Sequence, residues 1–198
     1  MKILVTAFEP FGGDTVNASL AALESLPESI NGAEICKAVI PVVFGQCGQM
    51  LAQKIETYHP DGILCLGMAA GRGQITPEVF AVNARYARSA DNAGQRFDVL
   101  IPCDPHGPDA YRTKLPVEKM VSLLQENGIP ASLSFTAGTY VCNDLFYSLM
   151  AMAEVPAGFL HVPQAAENAP KERAAMPQEQ ISRGVALAVG VLAETLVR

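Results

Sequence analysis

Short apolar runs bounded by turn residues alternate along this chain with stretches of helical periodicity. That alternation constrains the fold more than any other feature. "KILVTAF" (2–8), "AEICKAVIPV" (33–42), "GILCLG" (62–67), "ASLSFTA" (131–137) and "AGFLHVP" (157–163) read as strands. "NASLAALESL" (17–26) reads as a helix with Asn17 a candidate N-cap, and "FGQCGQMLAQKIETY" (44–58) carries Met50, Leu51, Ile55 and Tyr58 at helical spacing. "VEKMVSLLQENG" (117–128) is a helix closed by Gly128, and "NDLFYSLMAMAE" (143–154) is another. Strands alternating with helices predict an α/β fold: a single-domain α/β/α sandwich, residues 1–198, around a mostly parallel twisted sheet.

Three further stretches complete the reading. "ITPEVFAVN" (75–83) looks extended, whereas 91–116 is rich in Gly, Pro and Asp. The latter predicts a long excursion with little regular structure, of the kind that serves function or an interface. After the polar stretch 164–178, "EQISRGVALAVGVLAETLVR" (179–198) makes a terminal helix. Its apolar face is broader than one sheet face needs, which points to a subunit contact.

Composition then narrows the function classes. Apolar residues make up 49% of the 198 and charged ones 17%, the balance of a compact globular protein. A net charge of −6 argues against nucleic acid, which demands a basic face. No apolar run approaches the ~18–20 residues of a transmembrane helix, and "MKILVTAFEP" meets Glu9 too soon for a signal peptide, so no membrane association and a cytoplasmic location are expected. Five cysteines at irregular spacing and only three histidines argue against a disulfide framework and against a metal site.

Ligands of a parallel α/β sheet bind outside the carboxyl ends of its strands. Cys142 follows the strand expected at 131–137, and His161 lies near the end of 157–163. If those strands are neighbours, their ends lie about 4.8 Å apart and the thiol and imidazole come within reach. Glu78 emerges beyond 62–67 at the same edge. Such a trio has a chemical logic. A helix start and an imidazolium lower a thiol's pKa, and a carboxylate fixes the histidine's tautomer. Spacing alone leaves the plainer readings open: Cys142 as a small core residue, His161 as a satisfied core histidine and Glu78 as a surface carboxylate.

"GMAAGRGQITPEVFAVN" and "IPASLSFTAGTYVCND" resemble the two signature segments of the pyrrolidone carboxyl peptidase (pyroglutamyl peptidase I) family. "TAFEPFGGDTVNAS" resembles that family's first loop and "AGFLHVP" its histidine segment, in the family's order. The resemblance implies a cytosolic cysteine peptidase that removes an N-terminal pyroglutamyl residue from peptides. It implies Cys142 as nucleophile, His161 as acid–base and Glu78 as the residue orienting the histidine. Arg88 matches a family arginine near the active site. Phe8, Phe11, Tyr140 and Val141 match its ring pocket, though Phe8 and Phe11 also read as core packing. Asn17 contacts substrate or merely caps its helix.

No metal or organic cofactor is implied, and homotetramers are common in the family. This sequence departs from the family pattern in two places. Met68, which lacks a strong donor or acceptor, stands where Gln is common, and Val79-Phe80 replaces a basic–aliphatic pair. Two alternatives stay beside this reading: a cysteine hydrolase of another small amide or acyl substrate, and a non-catalytic binding homologue.

Overall fold

The computed structural model describes residues 1–197. Along the chain the elements are β1 (Lys2–Phe8), α1 (Ala18–Ser25), β2 (Ser29–Ile30), β3 (Ala33–Ile40) and α2 (Gln46–Tyr58). Next come β4 (Gly62–Met68), β5 (Thr76–Pro77), β6 (Phe80–Val82), β7 (Arg85–Ala87), β8 (Phe97–Ile101) and β9 (Ala110–Arg112). The last are α3 (Val117–Glu126), α4 (Val141–Met152), β10 (Ala157–Val162) and α5 (Gln178–Leu196). Arg198, the last residue of the expected terminal helix, lies outside the described residues.

The main sheet runs in the order β2-β3-β1-β4-β10-β5. Its four central strands are parallel, and β2 and β5 close the edges antiparallel. β1 and β4 are apolar almost throughout because both faces of the sheet are covered. Alternate residues of β1 sort to opposite sides. Ile3, Val5 and Ala7 join a core built with α1, α3 and α5, while Leu4 and Phe8 join one built with α2 and α4. On the second side Phe146 and Phe159 are fully buried with ring centroids 5.8 Å apart. Truncating either to Ala costs about 3–5 kcal/mol.

Helix boundaries follow local chemistry. The Asn17 side chain accepts from the Ser19 N–H at 3.0 Å and so caps α1. Gly128, at φ +71°, supplies the left-handed residue after α3 and donates to Gln125 O at 2.9 Å. The broad apolar face of α5 is consumed inside the chain, where Ile181, Val185, Ala188, Val189 and Leu192 are all buried. It is therefore not left over for a subunit contact.

Three expectations change. Residues 131–137 form no regular strand beside β10. They run alongside residues 75–79, with bridges Ile75 to Ala131 and Glu78 to Ser134, so β5 stands between them and β10. The reason is that β10 is already paired on both sides, by β4 and by β5. Residues 75–83 break into β5 and β6, which belong to different sheets. The excursion 91–116 holds more order than its composition suggests, because β8 and β9 pair antiparallel with β7 and β6 as two small ribbons.

Candidate active site

The turn before α4 sets the geometry. Tyr140 is extended (φ −89°, ψ −170°), and its carbonyl accepts from the N–H groups of Asn143 and Asp144 at 3.0 and 3.1 Å. The helix thus begins at Val141, two residues earlier than its sequence pattern suggests, and Cys142 sits inside the first turn. Val141 and Cys142 make no backbone N–H bond to an acceptor on another residue among the described residues, as expected of a helix start.

His161 comes from β10, paired in register with Gly67 of β4. Gly67 leaves space at this strand end for the sulfur of Cys142. A Cβ built there would lie 3.2 Å from Cys142 Sγ and 2.7 Å from the ring of Phe159, so only glycine leaves room for the sulfur over the sheet edge. Phe159 also packs beside the imidazole, with ring centroids 4.9 Å apart.

Behind the imidazole, Glu78 Oε1 meets His161 Nδ1 at 2.7 Å and accepts from Arg72 Nη1 at 2.8 Å. Glu78 is fully buried. Its backbone is held by Glu78 N–H to Phe159 O at 2.9 Å and by the bridge to Ser134. Burial alone would push its carboxyl up. The hydrogen bonds and charge of His161, with Ser134 and Arg72, bring it below its ordinary value. With Nδ1 committed to the carboxylate, Nε2 is the ring nitrogen left for chemistry.

The thiol differs from the expectation that a helix start lowers its pKa. Burial, reinforced by the negative charge of Glu78, pushes Cys142 up to about 12, against smaller opposing effects of Arg72 and its own amide. Burial likewise lowers His161, more than Glu78 raises it. The resting pair is therefore thiol and neutral imidazole. A thiolate would need a base to take its proton, and neutral His161 lines the same cavity.

A cavity of about 310 Å³ opens in front of this pair. Phe8, Phe11, Asn17, Met68, Tyr140 and Val141 line it together with Cys142 and His161. Asn17 caps α1 and lines the cavity at once. Phe11 and Tyr140 face one another with centroids 5.9 Å apart, and Tyr140 Oη donates to Ala90 O at 2.8 Å. Arg88 is not brought into this wall: it is exposed, and its Nε donates to Tyr86 Oη at 3.3 Å. The arginine that does line the cavity is Arg72, which sequence reading passed over. Its signal was available as a cation between Gly71 and Gly73, six residues before Glu78. Val79, at the position of the second departure from the family pattern, is buried, and its N–H donates to Ser134 O at 2.7 Å.

Known proteins match nearly the whole chain. The family model described as pyroglutamyl peptidase matches residues 1–195. A pyrrolidone-carboxylate peptidase of Streptococcus suis is 43% identical, over 98% of this chain and 93% of its own. That of Enterococcus faecalis is 44% identical over 82% of this chain and 78% of its own. The crystal structure of Bacillus amyloliquefaciens pyroglutamyl peptidase I superposes with a TM-score of 0.92 at 37% identity, covering 98% of this chain and 97% of that one. A mutant pyrrolidone carboxyl peptidase from Pyrococcus furiosus gives 0.93 at 36% identity, covering 99% of this chain and 100% of its own. From its first strand to its last helix, this chain belongs to the pyroglutamyl peptidase family.

Proposed function

We propose that this chain is a cysteine peptidase that removes an N-terminal pyroglutamyl residue from peptides. The observation that carries the proposal is the chemistry of the cavity wall beside Cys142 and His161: it is largely apolar and, among the described residues, contains no carboxylate. An ordinary aminopeptidase needs an acidic group to receive the substrate's α-ammonium. A pyroglutamyl lactam is uncharged and needs flat apolar walls with a few amide partners. Phe11 and Tyr140 offer such walls, and the Arg72 cation in the lining is already paired with Glu78.

We assign the steps to the residues of the cavity. The Cys142 thiol gives its proton to His161 Nε2, and the sulfur attacks the carbonyl that joins pyroglutamate to the next residue. The resulting oxyanion is received by first-turn N–H groups of α4, with Val141 and Cys142 the available donors. His161, now imidazolium and held by Glu78, protonates the departing amine as the carbon–nitrogen bond breaks. Water, deprotonated by the same imidazole, then cleaves the thioester, releasing pyroglutamate and restoring the thiol. Arg72 keeps Glu78 ionised and so acts as a positioning residue.

Hydrolysis of a pyroglutamyl-coumarin amide by wild type, with none by Cys142→Ala, tests the proposal. Equal hydrolysis by both variants sinks it. Cleavage of simple acyl amides in preference to the pyroglutamyl substrate would favour a different small-amide hydrolase. Met68→Gln should lower KM for the lactam by restoring an amide partner at the wall. We also place the protein in the cytoplasm as a homotetramer. Supporting self-association, Val99 and Leu100 of β8 stand 73% and 65% exposed. No helix among the described residues is long and apolar enough to cross a membrane. Light scattering in solution checks the assembly.

A further inference from the structure

Two crevices adjoin the lactam cavity, one mainly polar and one mixed, and nothing in the mechanism above uses them. They measure about 230 and 330 Å³, and Met68 forms a wall of both as well as of the cavity itself. Gln164 lines both crevices. It lies three residues beyond His161, where the chain leaves β10. Its side chain belongs to a residue only 8% exposed, and Oε1 is buried with no hydrogen-bond partner among the described residues. Nε2 makes one long bond, 3.5 Å to Asn168 O. A buried carbonyl oxygen without a donor is a liability, and a ligand N–H removes it.

Direction decides what that ligand is. The lactam occupies the apolar cavity, and the departing nitrogen must meet His161 Nε2. Met68 is shared between that cavity and both crevices, so a path past Met68 carries the rest of the peptide toward Gln164. We infer that the crevices form the leaving-group subsite, in which Gln164 Oε1 accepts the first peptide N–H beyond the departing residue. The inference rests on the pyroglutamyl reading of the cavity. It assigns Gln164 a share in substrate selection: the enzyme prefers leaving groups that continue as peptide backbone.

Two substrates isolate this hydrogen bond. Pyroglutamyl-alanine methylamide carries the N–H, and pyroglutamyl-alanine methyl ester has oxygen in its place. Wild type should favour the methylamide in kcat/KM by about tenfold, the effect of one buried hydrogen bond. Gln164→Leu should bring that ratio down to about twofold or less, on the same hydrogen-bond scale. If Gln164→Leu fails to fold, Gln164→Met keeps the unbranched length and should show the same collapse of the ratio. Equal cleavage of the two substrates by wild type overturns the subsite. So does a methylamide preference that survives loss of the Gln164 amide. In those cases hydrolysis of the pyroglutamyl-coumarin amide persists and the functional reading stands. If wild type cleaves none of the three substrates, the functional reading falls and takes the subsite with it.

Discussion

Helices α2 and α4 each carry a cysteine at their second residue, Cys47 and Cys142, and the two helices pack on the same side of the sheet. Local position is thus identical, and each thiol is pushed up by burial. They differ in what each thiol faces. Cys47 is fully buried and donates to Asp144 Oδ2 at 3.6 Å, so a thiolate there would meet a carboxylate. Cys142 opens on the cavity that His161, a neutral imidazole, also lines. A helix start does not by itself make a nucleophile. The partner across from it does.

The largest effect should come from removing the sulfur that has a base. Cys142→Ala should lower kcat by about 10⁴-fold or more, in line with loss of a nucleophile elsewhere. Alkylation separates the two thiols without mutation. Iodoacetamide should modify Cys142 of the folded protein first, with a rate that rises with pH, and should leave Cys47 intact until denaturant is added. Peptide mapping reads the order. Modification of Cys47 ahead of Cys142 would break the contrast.

Next in size is the carboxylate that orients the base. Glu78→Gln should lower kcat by roughly 10²–10⁴-fold, the range seen when an orienting acid is neutralised. The pH profile makes this specific. Catalysis needs neutral imidazole to accept the thiol proton, so activity is lost as pH falls through the pKa of His161. Burial holds that pKa below its ordinary 6.5, so the acid limb of kcat/KM should lie below 6.5. Glu78 raises the pKa of His161, so removing its charge should move the limb further to acid. An unmoved limb in Glu78→Gln would mean the carboxylate does not act on this imidazole.

The comparison also explains what the sequence reveals and what it hides. The layering is legible because it rests on local periodicity: the runs at β1, β4 and β10 are apolar on both faces. So is the shared lining of Tyr140, Val141 and Cys142, which are consecutive at one turn. Less is legible wherever a neighbour decides. Residues 131–137 have a strand's composition, but β10 had no free edge, so they settled beside residues 75–79. The ribbons of β6 to β9 exist through pairings between segments roughly 10 to 30 residues apart, which turn-rich composition conceals. Arg72 and Arg88 are both exposed-type cations in sequence. Only the fold shows that Arg72 reaches the buried Glu78 while Arg88 lies against Tyr86.

A smaller effect is expected on the Cys47 side, where Asp144 has a structural task. Its Oδ2 accepts from Gly45 N–H at 2.7 Å, holding the start of α2, and its Oδ1 accepts from Arg85 Nε at 2.6 Å. Asp144 is fully buried, and the Arg85 side chain is 20% exposed. Arg85→Met leaves that carboxylate buried without its cation. It should destabilise the fold by about 2–4 kcal/mol, somewhat under the full cost of breaking a buried pair because water reaches the arginine. The urea midpoint measures it. A variant as stable as wild type would show that the carboxylate is held adequately by backbone and helix dipole alone.

The smallest effect sharpens the contrast most. Cys47→Ala removes one buried sulfur and one weak donor to Asp144, while Gly45 and Arg85 keep that carboxylate paired. The cost should be about 1 kcal/mol, that of a methyl-sized void. Hydrolysis should stay close to wild type, because Cys47 does not line the cavity. The pair Cys47→Ala and Cys142→Ala therefore compares one substitution at the same helical position in two packed helices. If both variants lost activity alike, position in the helix would be the deciding factor after all. If only Cys142→Ala does, the deciding factor is what each thiol faces, the cavity with His161 or the Asp144 carboxylate, and the thiol's own burial is secondary.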